Sequence, residues 1–230
     1  VHGAENVVTA AIRAKVKRVV ALSTDKAVNP INLYGASKLA SDKIFVAARS
    51  LVGRGAPMFA VVRYGNVVGS RGSVIPFFLR KMREGAASLP ITDPAMTRFW
   101  ITLDQGVDFV IRALERMRGG EIFVPKIPSM KVTDVAEAVA PGCRHETIGI
   151  RPGEKLHEAM ITSAEAINTL EFDHHYVIQP AAFWWNAEKY REEVGGTPVS
   201  GDFEYRSDLN DMWLTVEEFR ALLSSQKIET

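Results

Sequence analysis

Two short runs near the start of the chain hold side chains able to move protons: Ser23-Thr24-Asp25-Lys26, and Tyr34-Gly35-Ala36-Ser37-Lys38. Tyr34 and Lys38 stand four residues apart, so on a helix they share one face. An ammonium beside a phenol favours the phenolate, which lets a tyrosine accept a proton near neutral pH. The same ammonium can donate hydrogen bonds to a ribose. Asp25 and Lys26 add a carboxyl and an amine, a candidate acid and a candidate base, beside the hydroxyl of Thr24. Alone, a Tyr-x-x-x-Lys pair also fits a surface helix, and Asp25-Lys26 also fits a solvated ion pair in a loop. Position strengthens the chemical reading. The acid–base run directly follows the apolar run Val19-Val20-Ala21-Leu22, and ligands of parallel α/β sheets bind just beyond the carboxyl ends of strands.

The elements that must carry these groups follow from periodicity. Ala4 to Lys15 predicts a helix with Val7, Val8, Ala11 and Ile12 at helical spacing. Val19–Leu22 predicts a strand buried on both faces. Pro30 and Asn32 punctuate the next loop, and a helix is expected from Leu33 to Ser50 with Leu39, Ile44 and Phe45 available to the core. A Gly/Pro turn over Gly53–Pro57 introduces a second buried strand, Phe59–Tyr64. Helical patterns recur over Ile75–Glu84, Asp104–Arg116, Val132–Val139 and Lys155–Thr162, and Glu121–Pro125 is a third strand. This alternation predicts an α/β fold with a parallel sheet. From about Pro141 the periodicity weakens and Phe183, Trp184, Trp185, Phe203, Tyr205 and Trp213 cluster. The expected organisation is therefore an α/β domain over 1–140 and a smaller irregular lobe over 141–230 on the sheet's edge.

Bulk properties exclude some partners. With 28 basic and 27 acidic residues the net charge is +1, which gives no electrostatic reason to expect nucleic acid or an anionic membrane. The single cysteine, Cys143, has no intrachain disulfide partner, which suits a reducing, cytoplasmic setting. No apolar run reaches the roughly 18 residues needed to span a bilayer. Val1 is not Met and a helical pattern begins within a few residues, so the chain reads as part of a longer polypeptide.

Five segments together resemble the extended short-chain dehydrogenase/reductase family across nearly the whole chain. They are Ser23 to Lys26, Asn29 to Lys38, Arg63-Tyr64-Gly65-Asn66-Val67-Val68-Gly69, Thr92-Asp93-Pro94-Ala95-Met96-Thr97-Arg98-Phe99-Trp100, and Ile150 to Glu158. Within that family, sugar-nucleotide 4-epimerases carry only a hydroxyl residue after the strand. Deoxythymidine-diphosphate-glucose dehydratases resemble Thr-Asp-Glu there. Thr24-Asp25-Lys26 is similar to the UDP-N-acetylglucosamine 4,6-dehydratases that invert C5. Retaining, membrane-bound relatives share Thr-Asp-Lys but show methionine where Tyr34 stands, so Tyr34 favours the soluble inverting branch.

What the resemblance implies is specific. The fold would be the C-terminal part of a Rossmann-like, doubly wound sheet with a substrate-binding lobe. The cofactor would be NADP (NAD is possible), the substrate a UDP-sugar, and the complete enzyme a homo-oligomer. Tyr34, assisted by Lys38, would take the proton of the sugar O4, and Thr24 would hydrogen-bond that oxygen. Lys26 would remove the C5 proton and Asp25 would donate to the departing C6 hydroxyl. Tyr34, Lys38, Tyr64 and Val67 would face the cofactor. Asn66, Arg71, Gly72, Ser73, Val74, Ile75, Thr92, Arg98, Arg151 and Glu154 would face the substrate, with the helix after Ser73 offering its amino terminus to the diphosphate. Alternatives are a 4-epimerase or reductase of the same family, or a non-catalytic truncated module.

Some features depart from the pattern or stay outside it. The Gly-x-Gly-x-x-Gly loop that holds a dinucleotide's pyrophosphate is missing from this sequence, so an unpaired sheet edge is expected. His157 and Glu158 are adjacent and point apart on a helix, and no partner cluster accompanies them, so no metal site is expected. His174-His175 reads as a surface or packing pair. The tail Tyr205-Arg206-Ser207-Asp208-Leu209-Asn210-Asp211 resembles the family's C-terminal motif without revealing its use.

Overall fold

The computed structural model describes residues 1–52 and 57–226. Most of the turn expected over Gly53–Pro57 therefore lies outside the described residues. The chain forms two compact units interleaved in sequence. Unit 1 comprises Val1–Tyr64, Val107–Lys126 and Ala159–Tyr205; unit 2 comprises Gly65–Gly106, Ile127–Glu158 and Arg206–Thr230. No single cut near residue 140 describes this division, because the chain leaves and rejoins each unit.

Unit 1 is built on one sheet. Strand β1 (Arg18–Thr24) pairs parallel with β2 (Met58–Tyr64), and β2 pairs parallel with Ile122–Pro125. The sheet then continues with His175–Ile178, Thr169–Glu171 and Thr197–Pro198, each antiparallel to its neighbour. The stretch expected as an irregular lobe thus supplies sheet. Strands of two to four residues are too short to leave a period-2 signature. Five central residues of β2, Phe59 to Arg63, are buried, as expected of a strand covered on both faces. Strand β1 ends the sheet order, and its Leu22 is 52% exposed, so the expected sheet edge is present among the described residues.

The helices of unit 1 follow their apolar stripes. Helix α1 (His2–Arg13) buries Ala4, Val8 and Ala11, whereas Val7 faces out. Helix α2 (Leu33–Ala47) starts where expected because Asn32 caps it, its side chain accepting from Gly35 N–H at 2.8 Å. It stops at Ala47, and Arg49–Val52 forms a separate short helix. Phe45 of α2 meets Phe59 of β2 with ring centroids 6.4 Å apart.

Unit 2 holds a three-stranded sheet of Asn66–Val67, Thr97–Ile101 and Ser129–Lys131, and a parallel pair of Ser88–Ile91 with Arg144–Thr147. Helices Val74–Arg83, Val132–Val139 and Val216–Ser225 cover a core that includes Trp100, Phe78, Leu89, Val135 and Phe219. Gly65 is required by close approach, since a Cβ there would lie 2.5 Å from that of Phe99. The helix expected over Lys155–Thr162 is absent. Thr97 N–H donates to Leu156 O, and Glu158 N–H donates to Ser207 Oγ at 3.0 Å, so this backbone finds partners on neighbouring segments instead of along a helix. Residues Ala159–Ile161 form a short strand instead.

His175 belongs to packing. Its ring stacks on Phe172 at 4.6 Å, with Phe109 and Phe123 alongside. Burial, reinforced by the nearby positive charges of Arg116, His174 and Lys126, lowers its pKa from 6.5 to about 4. The unfolded chain therefore takes up this proton at higher pH than the folded chain does. Between the two values the unfolded state binds more protons, so stability falls as pH drops. The full gap corresponds to about 3 kcal/mol. A His175→Phe variant is expected to flatten the loss of urea stability between about pH 7 and about pH 4.

Candidate active site

At the end of β1 the chain turns once in a 3-10 helix, Asp25–Ala27, with Thr24 as its cap. The Thr24 hydroxyl donates to Asp25 Oδ1 at 2.8 Å, and Lys26 Nζ lies 3.0 Å from the same oxygen. Asp25 is fully buried, and its Oδ2 has no hydrogen-bond partner among the described residues. Lys26 keeps about a third of its side chain exposed, at 35%. Asp25 and Lys26 thus form one contact pair, with the lysine side chain partly exposed and the carboxyl buried. In this arrangement the Thr24 proton is directed to Asp25.

Helix α2 brings the second run against the first. Its opening turn carries Tyr34, which is exposed, and Gly35, which is buried. A Cβ at Gly35 would collide with the Lys26 carbonyl oxygen and would meet Pro30 Cβ at 2.9 Å. Glycine is therefore what allows the Tyr34 turn to rest on the Asp25–Ala27 turn. One turn later, Lys38 Nζ donates to Leu22 O at 2.9 Å, which ties the lysine to β1. All five residues expected to perform the chemistry are thus drawn to the carboxyl end of β1. Tyr64 ends the neighbouring strand β2, and burial raises its phenol above the ordinary value.

Behind this group lies a polar cluster that sequence reading missed. Ser23 Oγ donates to Asp42 Oδ2 at 2.7 Å, and Arg63 Nη2 lies 3.8 Å from that oxygen. Arg63 also pairs with Glu165 at 3.1 Å and donates to Met160 O at 2.8 Å. The available signal was an arginine inside an otherwise apolar strand, a residue type almost never fully buried unless paired.

The other expected binding residues lie in unit 2. Asn66 and Val67 pair with Trp100 and Ile101. Arg71 and Gly72 are exposed, and Ser73 caps helix Val74–Arg83 without a side-chain bond to it. The Ser73 hydroxyl is buried and lacks a hydrogen-bond partner among the described residues. Ile75 sends its side chain into the core, leaving only its backbone for a ligand. Thr92 is half-buried just past Ser88–Ile91. Arg98 donates to the carbonyls of Thr97, Lys155 and Leu156, so most of its guanidinium clamps the backbone. Arg151 lies 3.8 Å from Glu154, whose Oε2 is buried without a hydrogen-bond partner among the described residues. The tail motif acquires a use here. Ser207 Oγ sits 2.7 Å from Thr97 Oγ1, which also contacts His157 Nδ1 at 2.8 Å, while Asn210 bonds Ile127 O and Ser129 Oγ.

A family model described as "Polysaccharide biosynthesis protein" matches residues 1–180. A UDP-N-acetylglucosamine 4,6-dehydratase (inverting) of Campylobacter jejuni is 53% identical over 228 residues, covering 97% of this chain and 68% of the relative. The chain belongs to the inverting UDP-N-acetylglucosamine 4,6-dehydratase family. A UDP-glucose 4-epimerase of Rickettsia akari is 40% identical over 227 residues, with 97% of this chain and 66% of the relative covered. The X-ray structure of Pen from Bacillus thuringiensis superposes with a TM-score of 0.85 at 33% identity, covering all of this chain and 68% of that one. Among the described residues, no helix of this member of the dehydratase family is long and apolar enough to cross a membrane.

Gly35 tests how tightly the two turns are seated. Gly35→Ala is expected to cost about 1–3 kcal/mol in urea unfolding, because backbone must move to admit the methyl. Gly3→Ala, in α1 with nothing within 4 Å of the added carbon, is expected to gain up to about 1 kcal/mol.

Proposed function

We propose that this chain carries the acid–base machinery for dehydrating UDP-N-acetylglucosamine to a UDP-4-keto-6-deoxy sugar, with inversion at C5 and NADP as the cofactor. The observation that carries the reading is the seating of the Thr24-Asp25-Lys26 turn on the helical turn that presents Tyr34. A reaction that oxidises C4, removes the C5 proton and expels the C6 hydroxyl needs a base for O4, a base for C5 and an acid for the leaving group. Tyr34, Lys26 and Asp25 supply those three groups from adjacent backbone.

In this reading Tyr34 accepts the O4 proton. A proton passing from Lys26 Nζ to Asp25 Oδ1 across their 3.0 Å contact turns an ion pair into a neutral amine and a neutral acid. Those are the two forms the elimination requires: the amine takes the C5 proton, and the acid protonates the C6 hydroxyl as it leaves. Thr24 orients the carboxyl until the sugar O4 arrives to share its hydroxyl. Protonation of C5 by solvent on the face opposite Lys26 gives inversion, and Lys26 returns the proton it took to Asp25.

The residues present fit the nicotinamide–ribose end of a dinucleotide. Tyr34 is exposed, Lys38 is tied to β1, and Tyr64 stands at the end of the adjacent parallel strand. A bound nicotinamide would supply the acceptance of hydride from C4 and its return to C6. Lys38 and Tyr34 would hold its ribose. For the UDP moiety, Ser73 and the backbone N–H groups that open helix Val74–Arg83 suit a diphosphate oxygen. Arg71, Arg98 and Arg151 add positive charge, and Asn66, Thr92 and Glu154 add hydrogen-bonding groups.

The second reading, a 4-epimerase, draws on the 40% identical relative. Epimerisation moves only a hydride at C4 and gives no task to an amine–carboxyl pair at the strand end. Lys26→Ala separates the two in the polypeptide as encoded, together with any residues preceding Val1. The dehydratase reading expects the 4-keto-6-deoxy product from UDP-N-acetylglucosamine to fall by about 100-fold or more, as for loss of a positioned base. Unchanged dehydration in that variant would remove Lys26 from the mechanism. Formation of a C4 epimer alone by the unsubstituted protein would replace the reading with the epimerase one.

A further inference from the structure

We infer that Asp42 is a positioning residue for the elimination step. Acting through Ser23, it holds the Thr24-Asp25-Lys26 turn in register with the helix that bears Tyr34 and Lys38. The inference rests on the dehydratase reading and assigns a task to two residues outside the reacting set.

Contacts from one face of α2 join it to the strand end. Gly35, Lys38 and Asp42 are spaced i, i+3 and i+7, which places them in line. Gly35 meets the Lys26 carbonyl, Lys38 donates to Leu22 O at 2.9 Å, and Asp42 accepts from Ser23 Oγ at 2.7 Å. The contacts at Leu22, Ser23 and Lys26 bracket Thr24 and Asp25. With both ends of the turn fixed to the helix, the Asp25–Lys26 pair cannot shift relative to Tyr34 without breaking one of them.

A carboxylate is a costly way to make such a contact. Asp42 and Ser23 are 2% and 4% exposed, and burial raises the Asp42 carboxyl above its usual value against the pull of Ser23, Arg63 and Lys38. An apolar pair would join helix to strand at lower cost, but without direction. A short hydroxyl–carboxylate bond fixes distance and angle, and it is stronger than a neutral one. Arg63, 3.8 Å away and paired on its other side with Glu165, balances the charge. The polar contact thus sits where position matters for chemistry: directly before Thr24.

The test compares Ser23→Ala, Asp42→Ala and Asp42→Asn in the polypeptide as encoded. Asparagine keeps an oxygen that can accept from Ser23. Two readouts are taken: steady-state dehydration of UDP-N-acetylglucosamine, and amide hydrogen exchange along the chain. Ser23→Ala and Asp42→Ala are expected to lower kcat roughly 10- to 100-fold, the size of effect that a displaced reacting group produces, with KM unchanged. Asp42→Asn should recover most of the rate. Exchange should quicken at Asp25 to Val28 in both alanine variants while the amides of β2 keep their protection. Unchanged kcat in Ser23→Ala, or exchange rising equally across β2, would overturn the inference and leave Asp42 a purely structural acid. If the unsubstituted protein fails to dehydrate the sugar, the functional reading fails by itself. The exchange pattern then still decides whether Asp42 holds the turn.

Discussion

The guanidinium of Arg63, 1% exposed in the middle of the sheet, sets conditions that the rest of unit 1 has to meet. A buried cation left unpaired costs several kcal/mol. Its counter-charges and acceptor come from far along the chain: Glu165, 102 residues away, Met160 O, 97 residues away, and Asp42 on α2. Strand β2, helix α2 and the segment around Met160–Glu165 therefore have to assemble together. Burial alone would raise the Glu165 carboxyl, but Arg63 and the Thr162 amide bond draw it below its ordinary value. Glu165 also completes a capping box with Thr162, so the same carboxyl fixes a helix start and neutralises a buried charge.

That assembly has a chemical consequence at the end of β1. Once α2 is docked by Asp42 and by the close approach at Gly35, the Tyr34 turn rests on the Asp25–Ala27 turn. The 3-10 turn is only three residues long and α2 is weakly amphipathic by sequence; tertiary contacts define both. The hydroxyl, carboxyl and amine of one turn meet the helical turn that carries Tyr34 because backbone, at Gly35 and Lys26, lets the two turns touch.

Unit 2 follows a similar logic with different groups. Arg98 spends its donors on three carbonyls of two segments, and the Thr97, His157 and Ser207 side chains form a polar chain between strand, loop and tail. The loop that carries Arg151 and Glu154 is thereby anchored at Leu156 and Glu158. Residues that resemble ligand contacts in a linear motif serve partly as struts. Arg98 and Ile75 illustrate it: one clamps backbone, the other fills core.

The sequence by itself determined the local order of this protein. Apolar runs placed β1, β2 and helix Val132–Val139, Pro30 and Asn32 punctuated the loop before α2, and the types at Thr24, Asp25, Lys26, Tyr34 and Lys38 made them candidates for proton transfer, because periodicity, turn chemistry and side-chain reactivity are properties of neighbouring residues. Only the tertiary structure decided the interleaving of the two units and the antiparallel extension of the sheet by strands too short to show a period. It alone placed strand where Lys155–Thr162 read as helix, and it alone gathered Ser23, Asp42, Arg63 and Glu165. Those outcomes depend on how buried charges and backbone groups separated by about a hundred residues find partners, and no local pattern encodes the partner of a buried arginine.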